Sequence, residues 1–255
     1  MPDFIDWSII GPAMVAGLLV LSTHVPLGQE VLRRGIVFID LAIAQVAALG
    51  VIAAYALEWD PEGIEVEIAA VSAALIAALG LYWTEKRWSR IQEPLIGTLF
   101  ILAATGGILL LAGNPHGSEH LKELLVGQLL WTTWASLWPV AILYAIVLAL
   151  WFWLQPRSGG LLFYLAFAVV VTASVQIVGV YLVFTSLIIP ALATSGIKRG
   201  NRLVAGYAIG AVSYLLGIIL SFVWDLPTGA VIVWSMAAVA LLAGTLISDK
   251  QRPDV

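Results

Sequence analysis

Apolar residues run in long unbroken stretches along this chain, at roughly Ile9–Val25, Phe38–Leu57, Val66–Trp83, Pro94–Ala112, Trp134–Leu154, Leu161–Gln176, Val178–Thr194, Leu203–Val223 and Thr228–Ile247. Most approach or exceed the roughly 20 residues that a helix needs to cross a bilayer. The polar gaps between them are too short to build a soluble core of their own. The pattern predicts an all-α, polytopic membrane protein with about eight to nine transmembrane helices in one domain, residues 1–255.

Two places strain that count. Leu161–Thr194 has to cross twice, yet it allows only 16 or 17 residues per crossing, so its turn near Gln176 is expected inside the protein. The stretch from Leu121 to Gln155 is too long for one span and too short for three, so LLVGQLLWTT is expected as a re-entrant or interfacial helix.

Charge then orients the spans. Arg33 and Arg34, Lys86, Arg87 and Arg90, Arg157, Lys198, Arg199 and Arg202, and Lys250 and Arg252 fall in every second loop, and only Lys122 falls in the other set. By the positive-inside rule this places the N-terminus outside and the C-terminus inside. The start, MPDFIDW, is acidic and has no signal-peptide pattern, so the first apolar run is expected to stay as a span. Composition agrees: 61% of residues are hydrophobic and 11% charged, with no cysteine and three methionines. Thiolate ligands and a thioether copper relay are excluded. Trp7, Trp59, Trp83, Trp88, Trp151, Trp153 and Trp224 lie near span ends, where indole rings favour the headgroup zone.

Few polar groups interrupt the spans. Asp40, near Ala44 and Gln45, reads either as a cation-coordinating or proton-carrying group beside a pathway or as a partner of Arg33, Arg34 or another basic residue near the cytoplasmic end. Glu93 reads as an N-cap-like carboxylate opening the fourth span, and His24 as a satisfied interfacial histidine. The run VGVYLVFTSLIIPALAT carries Gly179, Thr185, Ser186 and Pro190, which lipid insulation does not need. A proline frees a carbonyl, so this run and the turn at Gln176 are expected to line a path. In the loop GNPHGSEHLKELL, His116, Glu119, His120 and Glu123 stand three and four residues apart. On a helix they form one face, suited either to Zn(II), Mn(II) or Fe(II) or to plain solvation. There is no phosphate-binding loop, nucleophile elbow or zinc-hydrolase motif, so the chain itself is not expected to be an enzyme.

HVPLGQEVLRRGIVFIDLAIAQVAALGV, EPLIGTLFILA, ELLVGQLLW, VGVYLVFTSLIIPALAT and DLPTGAVIVW together resemble the ABC-3 family of zinc and manganese transporter permeases, in family order and across most of the chain. The resemblance implies a type II ABC importer permease-like bundle that dimerises in the lipid of a bacterial inner membrane. It would dock a cytoplasmic ATPase subunit and take zinc or manganese from a periplasmic metal-binding protein, with no permanent cofactor and no nucleic acid. Two departures stand out. Many members place a histidine four residues after an aspartate in the second span; here Gln45 stands at the histidine position and Asp40 lies one residue early. The cytoplasmic segment before Val178 is also cut to QPRSGG, Gln155–Gly160. The short loop leaves open an alternative, a permease-like protein uncoupled from ATP hydrolysis that acts as a secondary transporter or assembly factor.

Overall fold

The computed structural model of the chain describes residues 7–60, 63–112, 125–154, 160–197 and 199–249. Eight long helices appear there: α1 (Trp7–Arg34), α2 (Ile39–Ala56), α3 (Ile64–Trp88), α4 (Gln92–Leu111), α5 (Trp134–Leu154), α6 (Leu161–Ala193), α7 (Arg199–Trp224) and α8 (Thr228–Asp249). No strand occurs among the described residues. The all-α reading holds.

Among the described residues seven helical stretches are long and apolar enough to cross a membrane, and two of them each cover two of the nine apolar runs. Ile64–Leu111 holds α3 and α4, separated by a 3-10 turn at Ser89–Ile91. Leu161–Ala193 is α6, broken at Gly179 by φ 78 and ψ 162. The break lies three residues past the expected turn at Gln176. Of the expected helix LLVGQLLWTT, Leu125 and Val126 are helical, and residues 127–133 are irregular apart from a 3-10 turn at Leu129–Trp131. Gly127, at φ 74, ends helical geometry there.

The chain packs as two compact units. One comprises residues 1–34, 126–144 and 177–255, the other 35–125 and 145–176. In the first, α1 and α7 interlock through small residues at four-residue spacing, the ridge-into-groove contact of close helices. Tyr214 fills the gap left by Gly17, Leu21 enters beside Gly210 and Val25 beside Gly206, so each helix supplies both knobs and holes. In the second, α2 packs on both α3 and α4. Its alanines at 42, 44, 47, 48 and 54 are all buried, and Gly50 sits directly against the backbone of Ala69 and Ala70. Gln92 ties the α3–α4 turn: its amide donates to the Leu81 carbonyl at 2.9 Å, and its oxygen accepts from the Thr84 hydroxyl at 2.9 Å.

Burial separates inner from outer helices. In α1, α2 and α6 more than half of the membrane-spanning window is buried, against 17% in α3–α4 and in α5. A polar group on α1, α2 or α6 is therefore cut off from water and has to be satisfied inside the protein.

Candidate functional site

In the second unit, polar chemistry gathers at the amino end of α2. The chain leaves α1 through Gly35 at φ 70, and the Ile39 N–H bonds the Ile36 carbonyl at 3.2 Å as the new helix begins. Phe38 is the N-cap residue and has no oxygen to offer the first turn. Glu93, in the first turn of α4, supplies one from another helix: its Oε1 accepts the Phe38 N–H at 3.2 Å. The carboxylate thus caps the neighbouring helix as well as opening its own. Its Oε2 is buried with no hydrogen-bond partner among the described residues.

Asp40 is the second residue of α2 and is fully buried. Neither of its oxygens has a hydrogen-bond partner among the described residues. On α1, Glu30 engages the guanidinium groups of both Arg33 and Arg34. Arg33 Nε donates to Glu30 Oε2 and Arg34 Nε to Glu30 Oε1, each at 2.7 Å. A carboxylate within a span costs at least about 2.5 kcal/mol, and the helix dipole returns about 2 kcal/mol at best. The place is short of positive charge. Gln45 is also buried on α2; five residues from Asp40, it lies roughly 140° around the helix. The structure puts both residues on one inner helix but on different faces.

The remaining candidates separate. Gln176 is exposed on α6, while Pro190 is buried further along it. Pro190 removes the N–H that would reach the Ser186 carbonyl. The hydroxyls of this run are engaged: Thr185 donates to the Tyr181 carbonyl at 2.8 Å, and Ser186 pairs with the Tyr214 hydroxyl at 2.9 Å. His116, Glu119, His120 and Glu123 lie outside the described residues, as do Gln155–Ser158 of the shortened loop. Among the described residues no three His, Asp or Glu side chains gather as a metal-binding group.

Two features escaped the sequence reading. His24 is fully buried in α1, where an interfacial and satisfied side chain was expected. Its Nδ1 lies 2.8 Å from the Val20 carbonyl, and its Nε2 has no partner among the described residues. The second feature is a backbone crossing in the first unit. Gly127 and Gly179 press on one another so closely that a Cβ on either would overlap the other's backbone, and a Cβ on Gly229 would lie 2.8 Å from the Val126 carbonyl. Gly179 has φ 78 and ψ 162, a region essentially reserved for glycine. Three separate sequence motifs meet at this point, each through a glycine.

Comparison with known proteins follows the same lines. The ABC 3 transport family matches residues 6–158 and 154–247. The chain is 27% identical to the manganese transport system membrane protein MntC of Halalkalibacterium halodurans, over 96% of this chain and 87% of that protein. It is 24% identical to the high-affinity zinc uptake system membrane protein ZnuB of Haemophilus influenzae, over 93% and 97%. Its fold is similar to PsaBC from Streptococcus pneumoniae, solved in complex with Fab, with a TM-score of 0.71 at 20% identity, covering 92% of this chain and 89% of that one.

Proposed function

The chain belongs to the ABC 3 transport family, and from that premise we propose that it is the transmembrane permease subunit of an ATP-driven importer for a divalent transition metal. Zinc and manganese come first, as the similar proteins' names suggest, with ferrous iron behind. Two copies work by alternating access in a bacterial inner membrane, N-terminus outside and C-terminus inside. A cytoplasmic ATPase subunit supplies the energy and a periplasmic protein delivers the metal. His116, Glu119, His120 and Glu123 receive the ion, and Asp40 and Gln45 on α2, with Gln176 and Pro190 on α6, belong to its path.

One observation carries the reading: the Asp40 carboxylate is fully buried with neither oxygen hydrogen-bonded among the described residues. A buried carboxyl group without a fixed counter-ion favours a cation that comes and goes and takes the proton's place. The shortened loop Gln155–Gly160 favours the second reading, transport uncoupled from ATP. The test is uptake of radioactive zinc or manganese by cells expressing the full system. With Asp40→Asn, uptake is expected to fall to background, and vanadate should stop it in the parent protein. Full uptake by Asp40→Asn removes that residue from the path. Vanadate-insensitive uptake, with no ATPase subunit co-purifying, overturns the importer in favour of the uncoupled protein.

A further inference from the structure

The chain has three histidines, two of them at His116 and His120. His24 is therefore the one imidazole among the described residues, it lies in a helix long and apolar enough to span a membrane, and its surroundings fix its proton. The Val20 carbonyl can only accept, so at 2.8 Å the His24 Nδ1 carries the hydrogen and donates it. The Thr23 hydroxyl, 3.2 Å from the same nitrogen, donates to Val20 as well. In the neutral ring Nε2 is left as a bare lone pair, buried and with no partner among the described residues. An imidazole that donates one N–H to a backbone carbonyl and leaves the other nitrogen free is oriented as metal-ligating histidines are.

The helix around it is opened and then held. Pro26 cannot donate to the Ser22 carbonyl, and the Tyr207 hydroxyl of α7 donates to that oxygen instead, at 3.0 Å. Close contacts lock the same stretch of α1: Val25 beside Gly206, and Gly28 against the Leu187 carbonyl. The ring is held by its own hydrogen bond, by the Tyr207 bond and by this packing. Its free nitrogen is not simply a loose end of a mobile side chain.

We propose that His24 Nε2 is a transient ligand for the transported divalent metal, and that this nitrogen donor makes the path prefer zinc, manganese or ferrous iron to magnesium and calcium. The proposal rests on the permease reading. Its chemistry follows from ligand type, since imidazole suits transition metals while magnesium and calcium take oxygen.

The experiment uses the purified full-length chain carrying His116→Gln and His120→Gln, which leaves His24 as the sole imidazole. Mn(II) is added and directly bound nitrogen is read by electron spin echo modulation, with Zn(II) and Mg(II) affinities measured by calorimetry. Imidazole nitrogen coupling is expected in this background and should vanish when His24→Asn is added, with Zn(II) affinity falling at least about tenfold and Mg(II) affinity unchanged. Asparagine keeps an N–H within reach of the Val20 carbonyl, so the fold has its hydrogen bond; an unshifted Tm verifies this. Absent coupling in the background, coupling that persists in His24→Asn, or equal Zn(II) affinity each overturns the proposal. Uptake separates the two levels of inference. If His24→Asn in the otherwise natural chain moves zinc at the full rate and still rejects magnesium, His24 is dismissed while the permease stands. If the natural chain moves no metal, the permease reading fails on its own, and the nitrogen coupling still decides whether His24 binds.

Discussion

The amino end of α2 and the glycine crossing at Gly127 and Gly179 solve opposite problems. At α2 the backbone is regular and the side chains are costly: Asp40 is buried with both oxygens unbonded among the described residues, and Glu93 has one oxygen in the same condition. At the crossing the backbone is unusual and no side chain takes part, since Gly127 and Gly179 both hold positive φ. One place stores its cost in desolvated charge, the other in a conformation and a contact that exclude a Cβ. The first kind of cost can be relieved by an arriving cation. The second cannot be relieved by any ligand, so it belongs to the architecture.

Three substitutions test that contrast. Gly179→Val has the largest effect on the fold, because it adds a β-branched side chain at φ 78 and drives it into the backbone of Gly127. A loss of several kcal/mol is expected, read as loss of folded protein from the membrane fraction; normal accumulation with an unchanged Tm breaks the comparison. Asp40→Asn takes an intermediate place and runs in the other direction, since it removes an ionisable group that burial without a partner disfavours. Tm should hold or rise in metal-free buffer while uptake is lost, and a fall in Tm would mean that the carboxylate has a fixed partner after all. Glu93→Ala is the smallest: it removes the oxygen that caps the Phe38 N–H, worth about 1 kcal/mol. Tm should drop by about 2–4 °C, and no drop would show that the cap contributes nothing.

The helices were legible in the sequence because a bilayer demands long apolar runs, and each of the nine runs matches a described helix or part of one to within a residue at its ends. Their division was less so: whether Leu161–Ala193 is one helix or two depends on a single φ at Gly179. Asp40 stood out because an acid in a run of alanines and isoleucines has few satisfying surroundings. What the sequence could not carry is that Glu30 reaches both Arg33 and Arg34 from the same helix face. His24 was misread because α6 and α7, far along the chain, pack on its neighbours in α1, with Leu187 at Gly28, Gly206 at Val25 and Tyr207 at Ser22. The backbone meeting of Gly127, Gly179 and Gly229 was equally hidden. Hydropathy reports what a residue prefers and carries no signal for which backbone approaches it.

The interlocking contacts of α1 with α7 limit how this protein can move. Tyr214 sits over Gly17, Leu21 over Gly210 and Val25 over Gly206, a rack of teeth spaced one helical turn apart. Sliding by a fraction of a turn drives each tooth into a backbone, and the next seated position lies roughly 5.4 Å away. Smooth shear between these two helices is therefore closed to the molecule. They travel as a single piece, and any rocking has to find its pivot outside this pair.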